Sequence, residues 1–127
     1  MQSLLLVAVG GATGAVGRYL LGLQALRWFG AGWPVGTFTA NVLGGFLMGL
    51  LAGVLAHRGD PMQGTWRLLL GVGVLGGFTT FSAYSLEVAL MVEKRAFGQA
   101  AAYSLGSMVL SVAALFAGLM LARRVFA

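Results

Sequence analysis

The sequence has no cysteine, which excludes disulfides and thiolate metal sites. It is also poor in charge. Only 9% of its residues are Asp, Glu, Lys or Arg, against about 25% in a soluble domain. A chain so short of charge cannot cover its own surface with water-compatible groups. Acidic residues are scarcest, with 3 Asp and Glu against 8 Lys and Arg. The sequence has no Ser-His-Asp set, no paired carboxylates and no phosphate-binding loop ahead of a soluble helix, so nothing in it supports catalysis. The single His, His57, has no metal-ligand companions. The net charge of +5 is spread over loop ends, which fits anchoring at a membrane interface rather than nucleic-acid binding.

What is present is apolar: 59% of the residues are hydrophobic. The charges cluster at Arg27, at Arg58, Asp60 and Arg67, at Glu93, Lys94 and Arg95, and at Arg123 and Arg124. Between these clusters lie stretches long enough to cross a bilayer, which takes about 20 residues. Four spans are predicted, roughly residues 4–26, 34–56, 67–92 and 99–122, forming a single all-α transmembrane domain over residues 1–127. Arg18 and Glu87 are the charged residues within their interiors. The first span lacks a preceding basic segment and carries Arg18 in its second half, unlike a removable signal peptide. The 21 glycines indicate close helix–helix contact. Four helices cannot both enclose a pore and pack around it, so a transporting form is expected to be an oligomer.

Cytoplasmic loops normally carry the excess of Lys and Arg. One side here holds Arg58, Arg67, Arg123 and Arg124, and the other holds Arg18, Arg27, Lys94 and Arg95. The balance specifies no orientation and predicts insertion both ways. Two opposed copies could then pair about an axis in the membrane plane, as inverted repeats do in transporters.

The third span is the most informative. At its centre, Gly76 and Gly77 precede Phe78 and the β-branched Thr79 and Thr80, a run that disfavours helix. A break is expected at about residues 76–80, with a kink in tight packing as the alternative. Broken backbone in hydrocarbon must be buried in protein or line a wet cavity. Phe81, Tyr84, Ser85 and Val88 then follow helical spacing. Ring edges are positive, so such a face could surround an anion without a fixed charge, or could simply pack. In the fourth span Tyr103, Ser107 and Ser111 recur every four residues as a polar stripe. In the second span Asn41 could donate to an anion or hold a neighbouring helix, and Gly45, Gly49 and Gly53 form a packing ridge. Arg18 could snorkel or concentrate anions at the mouth of a path, and Glu87 could pair with Arg18 or Lys94.

Three segments together resemble the Fluc (CrcB-like) fluoride channels. These are Gly-Gly-x-x-Gly-Ala-x-x-Arg-Tyr (Gly10 to Tyr19), Thr-x-x-x-Asn-x-x-Gly (Thr37 to Gly44) and Gly-Gly-Phe-Thr-Thr-Phe-Ser (Gly76 to Ser82). The resemblance implies a passive, fluoride-selective channel in a bacterial inner (plasma) membrane, exporting fluoride from the cytoplasm. It implies an antiparallel, dual-topology homodimer with two pores. It also implies a structural sodium ion at the dimer centre, held by the backbone carbonyls of Gly76 and Thr79 from each subunit. By motif position, Phe81 maps to one pore phenylalanine, and Tyr84 stands where the family has a second. The pore asparagine maps to Asn41, the helix-four tyrosine and serine to Tyr103 and Ser107, and the vestibule arginine to Arg18. Thr80, Ser85 and Ser111 are further plausible donors for fluoride, which needs dense hydrogen bonding in place of water. The partners implied are fluoride, a second copy and membrane lipid. The competing reading is a small proton-coupled multidrug exporter of dual topology. Such an exporter needs an intramembrane carboxylate, and Glu87 is the only residue available for that role.

Overall fold

The computed structural model describes residues 1–58 and 63–126. Asp60 and the side chain of Arg58, assigned above to the loop after the second span, lie outside the described residues. The described chain is helical nearly throughout: α1 (Gln2–Phe29), α2 (Val35–Arg58), α3 (residues 63–78), α4 (Ser82–Glu93) and α5 (Phe97–Phe126). Four stretches are long and apolar enough to cross a membrane: Gln2–Phe29, Val35–Ala56, Gln63–Glu93 and Phe97–Val125. The third of these contains both α3 and α4.

Glycine decides how the helices pair. On α1, a side chain at Gly10 would come within 2.5 Å of the Leu69 carbonyl oxygen, and one at Gly14 would collide with the Val74 carbonyl. On α2, Gly45, Gly49 and Gly53 all face α5, where a Cβ would meet Ser111, Leu115 and Ala122. Gly118 of α5 reciprocates against Phe46. Such backbone-on-backbone contact supplies the dispersion that drives association where lipid removes the hydrophobic term. α1 thus packs on α3, and α2 packs on α5.

The third span is irregular along its length. Gln63–Trp66 and Gly76–Phe78 are α-helical, but Arg67–Leu75 between them is a π-helix. At its end the Gly76 N–H reaches back to the carbonyls of Gly71 and Gly73. The helix then stops. Thr79 is extended, with φ −85° and ψ 157°, and α4 begins only at Ser82. The interruption therefore falls at residues 79–81, later than the 76–80 expected from the glycines. Gly76 and Gly77 stay helical. Gly77 serves close approach instead, since a Cβ there would come within 2.5 Å of the Gly11 carbonyl.

α4 and α5 are joined by a tight turn in which Arg95 takes a left-handed φ of 59° and the Ala96 N–H donates to the Met91 carbonyl at 2.9 Å. The small core there joins Met91, Ala100 and Tyr103 to Trp33, Phe38, Tyr84 and Val88.

Candidate functional site

The interruption leaves polar backbone at mid-helix, and its groups find specific partners. The Asn41 side chain of α2 holds Thr80 at both ends. Its Nδ2 donates to the Thr80 carbonyl at 3.0 Å, and its Oδ1 accepts from the Thr80 N–H at 2.8 Å. The Thr80 hydroxyl accepts from the Ala83 N–H at 3.2 Å, satisfying one of the first donors of α4. On the other side, the Thr79 N–H and hydroxyl both donate to the Leu75 carbonyl, at 3.0 and 2.9 Å. Arg18 Nε points at the Gly77 carbonyl at 3.4 Å.

In a continuous helix each N–H serves the carbonyl four residues back. The Gly76 carbonyl would take the Thr80 N–H, and the Thr79 carbonyl would take the Ala83 N–H. Both donors are diverted to side chains. The residues present therefore fit a small cation: the two carbonyls assigned to sodium are the two relieved of their helical donors, and Gly76 is exposed on the surface of the chain.

Beside the interruption lies a groove of about 420 Å³. Its lining includes Asn41, Thr79, Thr80, Phe81, Tyr84, Ser107 and Ser111, which converge from α2, the interruption, α4 and α5. None of its lining residues is acidic. Ser107 is 3% exposed, and its hydroxyl has no hydrogen-bond partner. A buried hydroxyl in that state costs about 1–3 kcal/mol unless something occupies it, so the groove holds an unused donor.

The aromatic residues form a row. Phe81 and Tyr84 have ring centroids 5.5 Å apart, and Tyr84 and Tyr103 are also 5.5 Å apart. Trp33 meets Tyr103 edge-on at 5.2 Å and 83°. The Tyr84 hydroxyl donates to the Ser104 carbonyl at 2.8 Å, so the atom that distinguishes it from phenylalanine is held by α5.

Four of the residues named from the sequence lie elsewhere. Tyr103 is fully buried but donates to Glu87 Oε2 at 2.8 Å. Ser85 is exposed and absent from the groove's lining. Arg18 and Gly76 are likewise outside that lining. Glu87, whose partner was left open between Arg18 and Lys94, accepts instead from two hydroxyls: Tyr103 and, at 2.6 Å, Thr37. These partners stand 16 and 50 residues away in sequence. The one available signal was that a carboxylate inside a membrane span needs a partner. Glu87, Thr37, Trp33 and Lys94 also line a second cavity of about 380 Å³ at the end of the helices. Tyr103 therefore touches residues of both cavities.

Removing the carboxylate tests this cluster. Glu87→Leu should strip Tyr103 and Thr37 of their acceptor and cost about 0.6–1.7 kcal/mol for each bond lost. The melting temperature of the detergent-solubilised protein should fall. An unchanged melting temperature would mean that the two hydroxyls do not depend on Glu87.

The comparisons agree with this architecture. The family described as CrcB-like protein, Camphor Resistance (CrcB), matches residues 5–119. The chain is 80% identical over its full length, and that of the relative, to the fluoride-specific ion channel FluC of Phenylobacterium zucineum. It is 66% identical, again over all of both chains, to the protein of that name from Caulobacter vibrioides. The Rhodospirillum centenum protein of the same name is 54% identical over 97% of each chain. With four helices of membrane-crossing length and this kinship, the chain is a multi-pass bacterial membrane protein, and it belongs to the CrcB-like protein family.

Proposed function

We propose that this chain is a passive fluoride channel that works as an antiparallel pair of copies and exports fluoride from the bacterial cytoplasm. The observation that carries the reading is the groove. It gathers Asn41, Ser107 and Ser111 with the rings of Phe81 and Tyr84, it has no acidic lining, and its Ser107 hydroxyl is buried without a partner. Fluoride accepts hydrogen bonds strongly, and a pathway for it must replace water with donors and positive ring edges. The names of the relatives point to the same ion.

Pairing of copies follows from what one copy leaves bare. Phe81 is 78% exposed, and Gly76, Ser82 and Ser85 beside the interruption are exposed as well. Interrupted backbone and hydroxyls facing hydrocarbon are costly. A second copy would cover them. With the arginines and lysines balanced between the two sides, the two copies can be opposed. The carbonyls of Gly76 and Thr79 would then meet their counterparts across the pair and hold sodium. A bound sodium would supply a fixed positive charge that neutralises those oxygens.

The exporter reading has weaker support. It needs a carboxylate free to exchange protons for a cation, whereas both oxygens of Glu87 are engaged by hydroxyl donors.

The test is anion efflux from liposomes that contain the purified protein, with valinomycin carrying the balancing potassium. Fluoride should leave quickly and chloride should stay. Equal release of both ions would overturn the selectivity. A flux that follows an imposed pH gradient and disappears in Glu87→Gln would favour the exporter.

A further inference from the structure

The sequence offered Asn41 as a donor in the anion path, but its side chain has another job. We propose that Asn41, with Thr80, is a positioning residue that keeps the third span interrupted and so keeps the carbonyls of Gly76 and Thr79 free.

The argument is a count of backbone partners. Continuing α3 into α4 would require the Thr80 N–H to return to Gly76 and the Ala83 N–H to return to Thr79. Asn41 Oδ1 holds the first of these donors at 2.8 Å, and Thr80 Oγ1 holds the second at 3.2 Å. The Asn41 amide also covers the Thr80 carbonyl at 3.0 Å. Its two ends thus match the two polar groups of one residue on another helix. The glycines do not make the break, because Gly76 and Gly77 are helical. What distinguishes residues 79–81 is that side chains satisfy their backbone. An apolar residue at position 41 would leave the Thr80 N–H and carbonyl bare in hydrocarbon, at several kcal/mol for each group. Resuming the helix is the nearest remedy. It would recapture the Gly76 carbonyl and turn Phe81 by the twist of the added residues, away from its place in the groove.

One side chain on α2 therefore governs two features at once. It sets the direction of the groove's aromatic ring and the availability of the carbonyls assigned to the cation. This second consequence rests on the sodium reading given above, whereas the clamp itself does not.

The test uses the full-length protein in detergent, labelled with ¹³C-threonine. The carbon chemical shifts of Thr79 and Thr80 report extended against helical backbone. Melting temperatures in sodium chloride and in N-methylglucamine chloride report the cation. Wild type should show an extended Thr79 and a higher melting temperature in sodium. Asn41→Leu should move Thr79 and Thr80 to helical shifts and remove the sodium gain. Asn41→Ser, small enough to fit but too short to reach both groups of Thr80, should do the same if the bulkier residue prevents folding. Ser107→Ala, which changes the groove but not the interruption, should lower fluoride efflux yet keep the extended shifts and the sodium gain. An extended Thr79 in both Asn41 variants would overturn the proposal and return Asn41 to the anion path, as would helical shifts in Ser107→Ala. If wild type melts alike in both salts, the sodium reading fails, and the threonine shifts alone decide the clamp.

Discussion

Phe81→Ala should cut fluoride efflux from liposomes about tenfold or more while leaving helix content and protein yield close to those of wild type. The separation of the two effects comes from where the ring sits. Phe81 is 78% exposed on the single chain, its close aromatic neighbour is Tyr84, and it lines the groove. Truncating it opens no cavity inside the protomer, so the fold loses little. The groove, by contrast, loses one of its two ring edges. A favourable aromatic contact is worth about 0.5–1.5 kcal/mol, and 1.4 kcal/mol is a factor of ten in an equilibrium. Phe81→Trp keeps an aromatic edge and should fall less. Stopped-flow or electrode-recorded efflux from matched liposomes would measure both. Wild-type efflux in Phe81→Ala would remove the ring from the path.

Gly49→Leu should have the largest effect on the fold and abolish recovery of folded protein. A Cβ at Gly49 would collide with the Leu115 carbonyl, and Gly118 on α5 is equally closed by Phe46 and Leu50 of α2. The contact on both sides is backbone, which cannot swing aside as a flexible side chain can. Separating α2 from α5 would withdraw Asn41 and Gly44 from Ser107 and Ser111, which share the groove. Gly22→Leu is the matched control, because a Cβ at Gly22 has open space around it and should be accepted. The measurement is the yield of monodisperse protein on size exclusion, followed by its melting temperature. Monodisperse Gly49→Leu at wild-type yield would mean that the two helices can move apart without loss.

These two outcomes also mark what could be read from the chain alone. The four spans were legible because an apolar run is a local signal, and charged clusters bound it. Much of the groove was legible for a similar reason. Asn41, Thr80, Phe81, Tyr84, Ser107 and Ser111 are polar or aromatic residues in spans that need neither. The limits of that logic show at Tyr103. A stripe of Tyr103, Ser107 and Ser111 reads as one track, but a tyrosine is long enough to leave the track, and here it turns to Glu87. That partner, like Thr37, is distant in sequence, and no spacing announces it. The interruption was placed slightly early because a Gly-Gly pair serves equally to break a helix or to admit a neighbour, and only the position of α1 decides. The π-helix of Arg67–Leu75 leaves no periodic trace in a stretch where nearly every residue is apolar.

That π-helix bears on how the family's chains can vary in length. A π-turn holds more residues for the same advance than an α-turn does, so Arg67–Leu75 stores surplus chain. Deleting one residue there would let the segment relax toward an ordinary α-helix, and everything after it would rotate by roughly 100°. Thr80 would swing away from Asn41, and Phe81 would leave the groove. An insertion or deletion within residues 67–75 is therefore not neutral, although no side chain of the groove lies in that stretch. The distance along the chain from Arg67 to Thr80 acts as a ruler, and its length is fixed by a residue on another helix.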